Sequence, residues 1–105
     1  MGAWMNDERT PLDIRHNTAA ARFEATVGGR LCVASYHLVD CVMRMYHTEV
    51  PTAIEGQGIA GQLVRAALAY AAANALKVEP RCSYVRAYMR RHPETHVLLP
   101  DGFGI

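Results

Sequence analysis

Three kinds of residue in this chain have the types and spacing to do chemistry. Gly56, Gly58 and Gly61 fall within six residues of Glu55-Gly56-Gln57-Gly58-Ile59-Ala60-Gly61, directly ahead of an apolar helical pattern. A strand, a glycine-rich turn and a helix start leave backbone N–H groups unpaired and pointing outward. The helix dipole adds partial positive charge there, which suits a phosphate or pyrophosphate. Cys82 lies just after the last predicted strand, at the entry to the final helix, where a thiol gains thiolate character. His47 and Glu49 stand two apart on one strand and share a face, as a pair of general bases would.

Each of these has a structural counterpart. Glycines also serve plain tight turns, a free cysteine commonly packs as a small apolar residue, and His47 and Glu49 also fit solvated strand positions. The turn has no Gly-Lys-Ser/Thr, so it is not a Walker loop, and the strands before it form a meander, so it is not a dinucleotide fingerprint. Arg81 and Arg86 would add to thiolate character at Cys82. Tyr84 and Tyr88 share a helix face; packing is their default, and a phenol near a departing thiolate would serve as general acid. His92 and His96 are four apart, but Pro93 lies between them and no zincin glutamate follows, so capping and solvation are expected and no metal. Arg90-Arg91-His92 reads as a solvated helix end or as a contact for the 3′-phosphate of a nucleotide cofactor.

The elements that must position these groups are legible in the patterning. Asp13 to Asn17 predicts a short strand. Ala21 to Val27 alternates as a half-buried strand, Gly28-Gly29 makes a two-residue hairpin, and Arg30 to Val39 returns. Leu31, Cys32, Val33 and Ala34 are apolar on both faces, which predicts a central strand covered on both sides. Asp40-Cys41 turns into a strand from Val42 to Val50. With tight hairpins, Cys32 should share the face of His47 and Glu49. Ile59 to Leu76 predicts a long helix with Ile59, Leu63, Ala67 and Ala71 stepping by four, and with Gln62 and Arg65 outward. Lys77 to Pro80 predicts a strand parallel to the one before the helix. Ser83 is the expected N-cap of a helix to about His92, then a last helical turn and a Gly-rich tail. The fold class is α+β: an antiparallel meander, a crossover helix, a parallel strand and a C-terminal helix.

Composition bounds the rest. The 105 residues are half hydrophobic, enough for one domain over residues 1–105 with its own core, and residues 1–10 read as a flexible start. A net charge of +1 gives no electrostatic case for nucleic acid or an acidic membrane. Arg65 and Tyr70 interrupt the longest apolar run, which therefore predicts a buried helix and no membrane span. Three widely spaced cysteines without a Cys-x-x-Cys pair indicate free thiols in a reducing compartment, and a cytoplasmic protein is expected.

The segments His47-Thr48-Glu49-Val50-Pro51, Glu55-Gly56-Gln57-Gly58-Ile59-Ala60, Pro80-Arg81-Cys82-Ser83-Tyr84-Val85 and Arg91-His92-Pro93-Glu94, in this order, resemble the short single-domain members of the GNAT acetyltransferase superfamily. The likeness is to the small N-acetyltransferase-domain-containing type. It implies a GNAT-like fold and acetyl-coenzyme A as cosubstrate, without a metal. The superfamily turn is Gln/Arg-x-x-Gly-x-Gly/Ala; Glu55 departs from it while Gly58-Ile59-Ala60 fit. The implied cofactor-binding residues are Met45, His47, Thr48 and Val50 on the strand, Gly56, Gln57, Gly58, Ile59, Ala60 and Gly61 in the turn, and Cys82, Tyr84 and Arg91. The implied activity is acetyl transfer to an amine, either through a Cys82 acyl-enzyme or directly with His47 or Glu49 as base. A non-catalytic coenzyme A or acyl-coenzyme A binding module that engages a partner protein is the alternative. A monomer or weak homodimer is expected, since an open sheet edge at the N-terminal strands could pair with a second copy.

Overall fold

The computed structural model of the chain describes residues 12–105. The flexible start expected over residues 1–10 lies outside them.

Five strands form one sheet in the order β1 to β5: Arg15–Asn17, Arg22–Val27, Arg30–Val39, Val42–Glu49 and Lys77–Pro80. The first four are antiparallel and β5 is parallel to β4. Helix α1 (Ile59–Ala73) makes the crossover between β4 and β5, and α2 (Ser83–Arg91) follows β5. This is the meander, crossover helix, parallel strand and C-terminal helix expected from the patterning. The last turn is a 3-10 segment, Pro93–Leu98.

The β2–β3 and β3–β4 turns are two-residue hairpins with left-handed backbone. Gly28 and Gly29 have φ of 56° and 76°, and Asp40 and Cys41 have 51° and 62°. Positive φ at both central residues matches the twist of the flanking strands. Glycine adopts it freely, whereas Cys41 does so with a side chain.

The core lies on one face of the sheet. Phe23 and Ala25 of β2, Cys32, Ala34 and Tyr36 of β3, Met43 and Met45 of β4 and Val78 of β5 form one apolar cluster with Ile59, Leu63, Val64, Ala67, Leu68 and Ala71 of α1 and Val85, Tyr88 and Met89 of α2. The sequence predicted cover on both faces of β3. Residues Cys32 to Tyr36 are indeed all buried, but Val33 and Ser35 stand outside the apolar cluster and Leu31 is exposed. Both helices serve the same face, so the apolar run in β3 overstated the cover.

Helix α1 ends three residues before the predicted Leu76. Asn74 caps it, Ala75 takes a left-handed φ of 56°, and the Leu76 N–H returns 2.9 Å to the Ala71 carbonyl. That long return bond with a left-handed residue inside it is a Schellman ending. The prediction that Gln62 faces outward also fails. Gln62 is buried, and its Oε1 accepts the Leu12 N–H at 3.1 Å. The amide follows the apolar stripe because it has a backbone donor to satisfy there.

Candidate functional site

Strands β4 and β5 part company at Met45. Parallel pairing ends with Met45 opposite Pro80, while β3 continues to pair with β4 as far as Glu49. The Arg81 and Cys82 N–H groups both donate to the Met45 carbonyl at 2.9 Å, which turns the chain out of the sheet and into α2. Beyond Met45, then, β4 has a neighbour on one side only. Its other edge opens on a cleft of about 420 Å³ lined by Thr48, Val50, Ile54, Glu55, Gly56, Gly58, Ile59, Ala60 and Tyr84. An extended chain bearing amides can pair with such an open strand edge.

The glycine turn closes one end of this cleft. Gly56 and Gly58 have φ of 84° and 77°, and Gly58 is the N-cap of α1. No side chain caps the helix and no acidic residue occupies its first turn. The first intrahelical bond is Gln62 N–H to the Gly58 carbonyl, so the N–H groups of Ile59, Ala60 and Gly61 have no partner within the helix. A left-handed cap followed by free N–H groups is a backbone anion cradle.

A register change in β4 decides which side chains enter the cleft. Tyr36 pairs with Met45 but Ser35 pairs with His47, leaving Tyr46 as the extra residue of a bulge. Beyond it Thr48 falls opposite Ala34, on the core face, and lines the cleft. His47 and Glu49 fall opposite Ser35 and Val33, on the other face, where both are exposed. His47 Nε2 lies 3.2 Å from Glu49 Oε1. The predicted pairing of Cys32 with their face is therefore wrong: the bulge adds one residue, and a one-residue slip exchanges the faces. Cys32 is fully buried in the core, and burial pushes its thiol pKa up.

Cys82 is the half-buried N-cap of α2, with extended backbone at φ −78° and ψ 135°. Ser83, the predicted cap, is the first helical residue instead. The Cys82 sulfur lies 3.5 Å from Thr48 Oγ1. Burial by itself would raise this thiol. The Thr48 hydroxyl and the backbone N–H groups of Val85 and Tyr84 outweigh it, so its pKa falls below the ordinary thiol value. Arg81 and Arg86, expected to help, are engaged elsewhere: Arg81 pairs with Glu79, and the Arg86 guanidinium donates to the Pro80 carbonyl at 3.3 Å.

Of the residues singled out from sequence, the fold thus gathers Thr48, Val50, Gly56, Gly58, Ile59, Ala60 and Tyr84 around one cleft, with Cys82 against Thr48. A Cβ on Gly61 would meet the Tyr84 hydroxyl at 3.5 Å, which puts Gly61 where α1 passes α2. Gln57 is exposed within the turn. Met45 is fully buried, and its carbonyl is taken by Arg81 and Cys82. Arg91 is exposed in the last turn of α2, apart from the cleft lining. Glu55 and Ile54 border the cleft and were not singled out as binding residues; the loop Pro51 to Glu55 carries no periodicity that would have marked them. His96 Nε2 approaches the Met89 carbonyl at 2.8 Å, a helix-end contact, and no group of three or more His, Cys, Asp or Glu able to hold a metal occurs among the described residues. No described helix is long and apolar enough to cross a membrane.

The family model described as GCN5-related N-acetyl-transferase matches residues 22–98, which span β2 through the 3-10 turn. The chain belongs to this family. It is 28% identical over 90 residues to human Protein NATD1, covering 83% of this chain and 80% of that one. The mouse Protein NATD1 is 29% identical over 86 residues, with 79% and 78% covered. The solution NMR structure of a GCN5-like putative N-acetyltransferase from Staphylococcus aureus superposes with a TM-score of 0.68 at 23% identity, covering 85% of this chain and 88% of that one. At that identity the likeness is one of fold: the mixed sheet with its splayed β4 and β5 is the GNAT sheet.

Proposed function

We propose that this acetyltransferase-family chain takes its acetyl group from acetyl-coenzyme A and delivers it to an amine by way of Cys82. The observation that carries this is the position of Cys82, against Thr48 at the edge of the cleft, while His47 and Glu49 stand on the opposite face of the sheet. The open edge of β4 suits the amides of a pantetheine arm, and the N–H groups at the start of α1 suit its pyrophosphate. The cosubstrate would supply an activated thioester.

The chemistry of the residues is then explicit. The Cys82 thiolate forms a bond to the acetyl carbon, the thioester C–S bond breaks, and the departing thiolate takes a proton, for which Tyr84 on the cleft wall is the candidate donor. In the second half the neutral amine bonds to the acetyl carbon, Cys82 leaves as thiolate, and the amine gives up its proton. Tyr84, left as phenolate by the first half, is the group on the cleft wall that takes this proton back, whereas His47 and Glu49 open on the far face. The free state of Cys32, Cys41 and Cys82 favours a reducing, cytoplasmic location. Edge strands of three and four residues favour a monomer or at most a weak homodimer.

Titration calorimetry with coenzyme A and acetyl-coenzyme A, followed by thiol release with a panel of amines, tests the proposal. Binding with an acetyl mass shift on the Cys82 peptide and amine-dependent release is expected. Absence of binding at millimolar cosubstrate would overturn it, and binding without turnover would identify a coenzyme A binding module instead.

A further inference from the structure

We propose that Thr48 is a positioning residue for Cys82: its hydroxyl donates to the Cys82 sulfur and holds that sulfur at the cleft as a nucleophile. The inference rests on the reading of Cys82 as the acyl acceptor.

Three observations carry it. First, Thr48 Oγ1 and Cys82 Sγ are 3.5 Å apart although 34 positions separate them in the chain, and the contact spans the point where β4 and the start of α2 diverge. Second, Thr48 faces the cleft only because of the bulge at Tyr46; without that extra residue His47 would take its face. Third, the strand position demands no hydroxyl. A β-branched apolar residue would suit β4 as well, and the cleft wall on either side is largely apolar, with Val50, Ile54 and Ile59.

The direction of the hydrogen bond follows from the inventory of donors. A neutral thiol can either give or take the bond, so the hydroxyl gains little from it. A thiolate can only accept, and a bond from hydroxyl to anion is about twice as strong as a neutral one. Thr48 therefore favours the ionised sulfur, together with the backbone N–H groups of Val85 and Tyr84 that face it. The other titratable groups bordering the cleft are Tyr84 on α2 and Glu55 in the glycine turn.

The test measures the rate of iodoacetamide alkylation at Cys82 against pH, read by peptide mass spectrometry in the wild type, Thr48→Val, Thr48→Ala and Thr48→Ser, with exposed Cys41 as the reference thiol in the same sample. Thr48→Val and Thr48→Ala should move the inflection of the Cys82 profile to higher pH and slow alkylation at pH 7 about tenfold, the scale of one hydrogen bond to a charged group. Thr48→Ser should restore the wild-type profile, and Cys41 should not change. An unshifted profile in both hydroxyl-free variants, or a shift in Thr48→Ser as large as theirs, would overturn the inference. No acetyl donor enters this measurement. A chain whose Cys82 never becomes acetylated but whose profile shifts would therefore remove the acyl-enzyme reading and keep the Thr48–Cys82 coupling.

Discussion

His16 Nε2 and Tyr36 Oη are 2.6 Å apart on the core face of the sheet. The His16 ring also stacks on Phe23, with centroids 4.1 Å apart and planes 9° from parallel, and meets the edge of Tyr70 at 4.4 Å. Burial among these rings holds the His16 pKa below its ordinary value, so the folded protein keeps the imidazole neutral. In the unfolded chain it protonates near roughly pH 6.5. The unfolded state thus binds the extra proton first, and acid must favour unfolding. The contribution is complete above the unfolded value and is lost as pH falls through it toward the lower folded value. Urea midpoints should fall between pH 7 and pH 5, and His16→Asn should flatten that slope. An unchanged slope in the variant would assign it to other groups; Glu24, also lowered, titrates in a more acidic window.

The layout of the molecule could be read from the chain because its signals are local. Gly28-Gly29, the alternation in β2 and the four-residue step of Ile59, Leu63, Ala67 and Ala71 each act within a few residues. What could not be read was the consequence of one extra residue. Nothing in Met43 to Val50 marks Tyr46 as a bulge, since its cause is pairing with β3. That single residue moved Thr48 into the cleft and His47 and Glu49 out of it. Gln62 was misread for a related reason: its partner is the Leu12 backbone, 50 positions away, and no helical period reports that. The glycine turn and Cys82 were legible, as both depend on sequence neighbours at a helix start. The contact between Cys82 and Thr48 was not.

Gly58 combines a left-handed cap with the N–H groups at the start of α1 that have no partner within the helix. Gly58→Ala should cost about 1 kcal/mol of stability, because a side chain at positive φ is strained. It should also weaken coenzyme A binding by distorting the cradle. Gly58→Asp should weaken binding further by placing a carboxylate where an anion is to sit. Thermal melts and calorimetry of both variants check this, and Asp binding as well as Ala would argue against an anion at this end of the cleft.

Ala75 is the left-handed residue of the Schellman ending of α1. Glycine is the residue that adopts this conformation without a Cβ penalty. Relief of a left-handed penalty of about 1–2 kcal/mol, set against a glycine entropy cost of about 0.5–1 kcal/mol, means that Ala75→Gly should stabilise the protein by about 0.5–1 kcal/mol, seen as a higher urea midpoint with an unchanged slope. The site lies at the opposite end of α1 from the glycine turn, so cosubstrate affinity should not move. A destabilised variant would mean that the residue leaves the left-handed region in solution.

The placement of Cys82 and His47 on opposite faces gives the sharpest kinetic prediction. They lie on different sides of the splayed sheet and only Cys82 borders the cleft, so only its loss should stop turnover. Cys82→Ala should abolish the acetyl mass shift on the protein and slow amine-dependent thiol release about a hundredfold or more, the range for loss of a central catalytic group. His47→Ala should leave both acetylation of Cys82 and transfer to the amine within about twofold of wild type, because its imidazole opens on the face away from the cleft and no proton acceptor is lost there. Raising the pH delivers more of the amine without its proton but should not rescue Cys82→Ala, because no base replaces the lost nucleophile. Single-turnover experiments with labelled acetyl groups separate the two steps. If Cys82→Ala turns over at the wild-type rate while His47→Ala or Glu49→Gln is inactive, the acetyl group passes directly from donor to amine and the sulfur is a spectator.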